Sequence, residues 1–250
     1  MKRLDVLLVE RGLAATREQA QRHVLAGEVW TLERRLEKPG VKVDPELPLE
    51  LRSRQPGFVS RSAEKLVAGL EQFGIDVSDK VCLDIGSSTG GFTDVLLQRG
   101  AQFVFAVDVG TAQLHERIRK DSRVAVLEKT NARHLTQQAL AASNPLGNTI
   151  SLGVMDVSFI SLRKIVEPLT PELPLLRDWL LLFKPQFELG RKHIRKGGRA
   201  ATGSVLTQAL LEFDAFMMDL GWKADRPAVP SPVPGKRSGN VEYLLHYQKA

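Results

Sequence analysis

The sequence has one cysteine, Cys82, so no internal disulfide can form. That scarcity favours a reducing compartment, and cytoplasmic placement is expected. Cys82 itself, in the middle of an apolar run, reads as a small buried hydrophobe. No apolar stretch approaches the roughly 18 residues needed to span a bilayer. The segment Val6 to Val9 after the basic start is too short for a signal peptide. The five histidines are scattered, and no Cys/His spacing resembles a metal site, so no metal is expected. Neither G-x-G-x-x-G nor G-x-x-x-x-G-K-[ST] occurs, which removes the usual fingerprints of dinucleotide and phosphate loops. No internal repeat is visible. Four prolines within residues 227–234 make a stiff loop rather than a low-complexity tract.

What is present is basic and core-forming. Lys plus Arg number 35 against 29 Asp plus Glu, a net charge of +6, which suits an acidic partner such as nucleic acid or a membrane surface. At 250 residues and 43% hydrophobic, the chain can fold as one large domain or a large plus a small one.

Residues 1–57 read as a small unit of short elements ending in a polar linker, Arg52 to Gly57. Leu4, Leu7 and Leu8 make a helical stripe that Gly12 stops. Thr16 and Gln19 form a capping box for a second helix ending at Gly27. Short strands are expected over 28–31 and 47–51. Arg3, Arg11, Arg17, Arg22 and His23, with Arg34, Arg35 and Lys38, surround the two helices.

Residues 58–250 alternate helix and strand: helix 62–73, strand 81–85, helix 91–98, strands 103–107, 124–127, 150–155 and 179–183, helix 205–220 and a final strand 241–247. That rhythm predicts an α/β fold with a parallel sheet covered on both faces, its ligand at the carboxyl ends of the strands. Gly86, Asp108, Asp156 and Lys184 all close strands, so one sheet edge gathers them. Asp108 stands 22 positions after Gly86, where an acid can bind the two hydroxyls of an adenosine ribose. Asn131 closes the third strand and is placed to meet an adenine edge. An Asp and a Lys at the fourth and fifth strand ends, without Asn-Pro-Pro-Tyr, favour an oxygen nucleophile over a base nitrogen. The run Arg191-Lys192-His193-Ile194-Arg195-Lys196 reads as a flexible basic loop, placed to clamp a nucleic-acid backbone if the partner is one.

Three resemblances add to this. Asp84-Ile85-Gly86-Ser87-Ser88-Thr89-Gly90-Gly91-Phe92 resembles motif I of methyltransferases that use S-adenosylmethionine, implying that this run, with Asp108, Asn131 and Asp156, binds that cofactor. Arg3-Leu4-Asp5, Gly12, Thr16-Arg17, Ala20, Gly27, Val29 and Lys38-Pro39 are similar to the S4 RNA-binding module. Where that module usually has an Asn-Gly turn, this chain has Thr31-Leu32-Glu33-Arg34. Finally, S-R-x-A-E-K-L, L-D-x-G-S-S-T-G-G-F-T-D, M-D-V-S-F-I-S-L, F-K-P-Q-F-E and G-N-x-E-Y, in that order over nearly the whole chain, resemble the TlyA family. That family is also labelled haemolysin, which the lack of any spanning segment makes hard to accept as a direct activity. The resemblance implies an S4 module (1–57) before an FtsJ-like, Rossmann-like methyltransferase domain (58–250). It further implies 2′-O-methylation of ribosomal RNA, on cytidine in one or both subunits, by a tetrad Lys65, Asp156, Lys184 and Glu242. Arg3, Arg11, Arg17, Arg22, His23, Arg61, Arg191, Lys192, Arg195 and Lys196 become the expected RNA contacts. Lys184 would activate the hydroxyl, either by taking its proton or as a cation beside the forming alkoxide. The competing readings are a non-catalytic RNA-binding or ribosome-assembly factor, a dehydrogenase with an unusual loop, and a pore-former. The sequence is silent on oligomeric state.

Overall fold

The structure, a computed structural model, describes every residue except 26–27, 32–34, 52–56 and 236–238, and the side chains of Arg22 and Leu25. The expected helix stop at Gly27, the tip at Leu32 to Arg34 and most of the linker therefore lie outside the described residues. The chain divides into two compact units, Met1–Gly57 and Phe58–Ala250.

The first unit runs β1 (Lys2–Arg3), α1 (Leu4–Glu10), α2 (Arg17–Leu25), β2 (Val29–Trp30), β3 (Lys42–Val43) and β4 (Glu50–Leu51). β1 pairs with β3, and β2 with β4, both antiparallel. Leu4, Leu7 and Leu8 bury the stripe of α1 against Ala20 and Val24 of α2. The cap of α2 differs slightly from a capping box. Gln19 N donates to Thr16 Oγ1 (3.2 Å), but the return bond to Gln19 Oε1 comes from Ala15 N (2.9 Å).

The second unit runs α3 (Ala63–Phe73), β5 (Val81–Ile85), α4 (Gly91–Gln98), β6 (Phe103–Val107), α5 (Glu116–Arg119), β7 (Val124–Leu127), α6 (Gln137–Ser143), β8 (Leu152–Met155), α7 (Arg163–Leu169), β9 (Asp178–Phe183), α8 (Pro185–Glu188), α9 (Ser204–Asp219), β10 (Trp222–Ala224), β11 (Val229–Pro230) and β12 (Tyr243–Lys249). The strands form one sheet in the order β10–β12–β9–β8–β5–β6–β7, with β11 also on β12. From β9 to β7 every pair is parallel. The expectation of a parallel sheet needs correcting at its other end, where β10, β11 and β12 pair antiparallel.

Period-two patterning sends alternate residues to opposite faces. Val81, Leu83, Ile85, Phe103, Phe105 and Val107 join the core beneath α7 and α9, while Cys82 and Val104 join the one beneath α3 and α4. Burial pushes the Cys82 thiol up to about 12, so it is an inert packing group. The chain winds outward from β5 through β6 to β7, then returns to place β8 on the other side of β5. The β5/β8 junction is therefore the topological switch point, where a crevice opens at the strand ends.

Candidate active site

Lys65 lies in the first turn of α3, on the buried side. Asp156 directly follows β8 and Lys184 directly follows β9. Glu242 comes just before β12, at the wrong end of a strand for a parallel sheet. The antiparallel direction of β12 resolves this. Tyr243 pairs with Phe183, so the start of β12 sits beside the end of β9.

The four side chains form one continuous chain of charge. Lys65 Nζ donates to Glu242 Oε2 at 2.5 Å and lies 3.8 Å from Asp156 Oδ2. Lys184 Nζ lies 2.5 Å from Asp156 Oδ1 and donates to Ser158 Oγ at 3.0 Å. Lys65, Lys184 and Glu242 are 8%, 6% and 3% exposed. Buried charges persist only when paired, and here two ammonium groups meet two carboxylates. An ammonium has three N–H groups. With Asp156 and Ser158 in contact, Lys184 has one left for an oxygen in the cavity beside it.

That cavity, of about 780 Å³, is bounded by all four residues, by Gly86 to Thr89 and Phe92 of the glycine-rich corner, and by Ser60 to Ser62. Its volume is that of a site for a cofactor-sized ligand. Gly86 and Gly90 have the positive φ expected of them, and the missing side chains at Gly86 and Gly91 also relieve close contacts. A Cβ on Gly86 (φ +83°) would lie 2.5 Å from Asp156 O, so its bareness lets the segment after β8 close on β5. A Cβ on Gly91 would lie 2.3 Å from Ser62 Oγ, so it admits the segment that leads into α3. Gly90 and Gly91 stand behind the cavity wall rather than on it.

Asp84, expected to bind cofactor, does not border this cavity. It is wholly buried and accepts from Thr93 Oγ1 at 2.6 Å, anchoring α4 beneath the loop. Its Oδ1 has no partner among the described residues, and burial pushes its carboxyl up to about 7. Asp108 stands at the end of β6 and fastens two turns, accepting from Ser88 N (2.8 Å) and Gly110 N (2.7 Å). Asn131 caps the short turn after β7 through Arg133 N (3.1 Å). Neither Asp108 nor Asn131 borders the cavity around the tetrad.

Sequence reasoning missed Ser158, Phe159, Gln186 and Phe187, which line the cavity. Phe159 is 79% exposed at φ +66°, an uncommon position for a bulky residue, and its ring lies 5.3 Å from that of Phe187. The only signal was their place within the two strand-end motifs.

The expected RNA contacts fall into two groups. In the first unit, Arg3 and Arg17 are paired to the buried Asp5 (2.9 and 3.1 Å). Arg11 donates to Leu47 O (2.7 Å) and to Pro45 O, and His23 meets Glu28. Arg22's side chain is outside the described residues. In the second unit, Arg61 lines the cavity. The loop carrying Arg191, Lys192, Arg195 and Lys196, expected to be flexible, is pinned at its base. Asn240 Nδ2 donates to Gly198 O (2.9 Å) and Asn240 Oδ1 accepts from Ala200 N (3.0 Å). Among the described residues no helix is long and apolar enough to cross a membrane, and no cluster of His, Cys, Asp or Glu could hold a metal.

Comparison with known proteins gives the family. YqxC of Bacillus subtilis is 45% identical over 98% of this chain and 85% of its own length. The Mycobacterium tuberculosis 16S/23S rRNA (cytidine-2′-O)-methyltransferase TlyA is 42% identical over 97% of this chain and 88% of its own. A solved structure from Streptococcus thermophilus that carries a hemolysin designation is 40% identical, with a TM-score of 0.72 over 100% of this chain and 88% of that one. Residues 58–249 match the family described as FtsJ-like methyltransferase. With the switch-point cavity, the glycine corner and a full-length relative all in agreement, the chain is a methyltransferase and belongs to the FtsJ-like family, among its TlyA members.

Proposed function

We propose that this enzyme methylates the 2′-hydroxyl of a ribose in ribosomal RNA, on cytidine, with S-adenosylmethionine as donor and with residues 1–57 acting as an S4-like RNA-binding module. The observation that carries the reading is the chain Glu242–Lys65–Asp156–Lys184–Ser158 at the mouth of the switch-point cavity. The Mycobacterium tuberculosis relative is named for cytidine 2′-O-methylation in both subunits' RNA, which supports the substrate class. Work on ribosomal RNA implies a cytoplasmic enzyme.

The cavity's wall suits the donor. The open backbone of Gly86 to Thr89 accommodates its amino-acid end, and Asp108, outside that cavity but at the end of the neighbouring strand β6, suits its ribose. When bound, S-adenosylmethionine supplies an electrophilic methyl on a cationic sulfonium. The negative Asp156 favours that cation nearby.

A ribose hydroxyl ionises far above neutral pH, so the protein must make it a nucleophile. Lys184 meets the attacking oxygen with its remaining N–H. Its positive charge stabilises the alkoxide as that forms, the kind of preorganised electrostatic help that dominates many active sites. Asp156 fixes Lys184 and gives the departing proton a nearby carboxylate. Lys65, held by Glu242, compensates the second Asp156 oxygen and keeps the carboxylate from rotating. Alignment of oxygen, methyl and sulfur supplies a large further share of the rate. Arg61 and the pinned basic loop suit an RNA backbone around the cavity. Lys184→Ala should abolish methyl incorporation into ribosomal subunits while S-adenosylmethionine affinity stays within about threefold. Unchanged turnover would remove the proposal.

A further inference from the structure

Beyond Met155↔Leu181, β8 and β9 leave their shared ladder. The two segments that follow, 156–162 and 184–188, carry Asp156 and Lys184, and no backbone pairing holds them together. Side chains do. At the near end Lys184 reaches Asp156 and Ser158. In the middle Phe159 faces Phe187. At the far end Glu188, the last residue of α8, crosses back. Its Oε2 accepts from Ser161 Oγ and its Oε1 from Leu162 N, both at 2.7 Å. Among the described residues, Glu188 is the only polar tie between the segments outside the catalytic contacts.

We infer that Glu188 is a positioning residue for methyl transfer, closing the frame that holds Lys184 against Asp156 and Ser158 at the cavity. The inference rests on the proposed function and deepens it. A frame tied at both ends fixes the distance between its members, whereas one tied only at Lys184 lets the catalytic pair drift as the loops move. Phe159 lies within this frame with its backbone in the left-handed region, a conformation that costs a bulky residue free energy. Hydrogen bonds to a carboxylate are among the stronger kind. Burial raises the Glu188 carboxyl above its ordinary range, against the opposing pull of Ser161, so it sits there in spite of its surroundings and is held by these two bonds.

A purely structural role is the competing explanation, because Leu162 N precedes α7 and Glu188 also caps that helix from a distance. The two roles separate in kinetics. Glu188→Ala, assayed as purified enzyme on ribosomal subunits, should lower kcat at least 20-fold. Its KM for subunits and its S-adenosylmethionine affinity should stay within threefold. Glu188→Gln should recover most of the rate, since its carbonyl still accepts from Leu162 N and its amide can donate to the Ser161 hydroxyl. A kcat for the alanine variant within threefold of wild type, or a glutamine variant as slow as alanine, overturns the inference. Should Glu188→Ala fail to fold, Ser161→Ala removes one arm, along with the weaker bond from Arg163 N to the same hydroxyl (3.2 Å), and leaves the Leu162 N arm in place. A several-fold lower kcat then supports the inference and an unchanged one overturns it. Wild-type enzyme that leaves ribosomal RNA unmethylated would instead sink the proposed function.

Discussion

Two paired aspartates, one in each unit, the first buried and the second half-buried, have similar partners and opposite uses. Asp5 in the first unit is fully buried and meets Gln21 and two half-exposed arginines, Arg3 and Arg17. The Arg3 bond, with help from Gln21 and Arg17, holds its carboxyl well below the ordinary range. Asp156 in the second unit also meets two cations, but those lysines are themselves buried and stand at a cavity. Asp5 is closed off on all sides and acts as a brace between α1 and α2. Asp156 keeps its partners poised beside open space, where a substrate oxygen can join. Pairing alone does not mark a catalytic group. Pairing next to a cavity is what makes Asp156 a candidate.

The comparison breaks most sharply by exchange of charge for amide. Asp156→Asn should cut turnover about a thousandfold, roughly 4 kcal/mol of transition-state stabilisation, with little change in melting temperature. Asp5→Asn should do the reverse. Turnover per folded molecule on a short RNA fragment should hold, while the first unit loses about 2 kcal/mol by denaturant titration, a value discounted because its arginines are half exposed. Equal activity losses in the two variants would erase the distinction.

Asp84 supplies a third case, a buried acid with no cation. Its folded carboxyl, pushed up to about 7, holds a proton at pH 5 that the unfolded chain has released. Its favourable contribution is therefore complete below about pH 4 and is lost as pH rises through about 7. Asp84→Asn, with no proton to lose, should gain roughly 2 kcal/mol on wild type between pH 5 and pH 8 by calorimetry or denaturant titration. Parallel pH profiles would contradict that. The smallest effect belongs to the basic loop. Neutralising Arg191, Lys192, Arg195 and Lys196 should weaken RNA binding and flatten its salt dependence, with cofactor affinity unchanged in the same titrations.

Much of the second unit was legible because its strands are continuous apolar runs that end in a chemically distinctive residue. Asp156 and Lys184 could be read in this way. Lys65 and Glu242 could not be read from chemistry alone, and came only through the resemblance. A helix lysine is usually solvated, and patterning is blind to strand direction, so nothing in residues 241–247 announced that β12 runs backward and carries Glu242 to the rim. Burial was the other blind spot. The alternation that makes Asp84 a strand residue also turns it into the core, where it meets Thr93. Gly86 was rightly placed in a tight corner, but what fills the missing Cβ is Asp156's own carbonyl. In the first unit the arginines looked like a free basic face, yet Arg3, Arg11 and Arg17 also brace the fold, because Asp5 and the carbonyls of Pro45 and Leu47 come within reach only once it forms. Ser158, Phe159 and Phe187 stayed hidden because serine and phenylalanine are unremarkable in any loop until one sees what they face.

The most direct test of the whole account is chemical identification of the product. Purified enzyme, ribosomal subunits and isotopically labelled S-adenosylmethionine should yield RNA whose nucleoside digest carries the label on a ribose 2′-oxygen of cytidine, as read by mass spectrometry. Label on a base carbon or nitrogen, or none in RNA at all, would contradict a site built from Lys184 and Asp156 to activate a sugar hydroxyl.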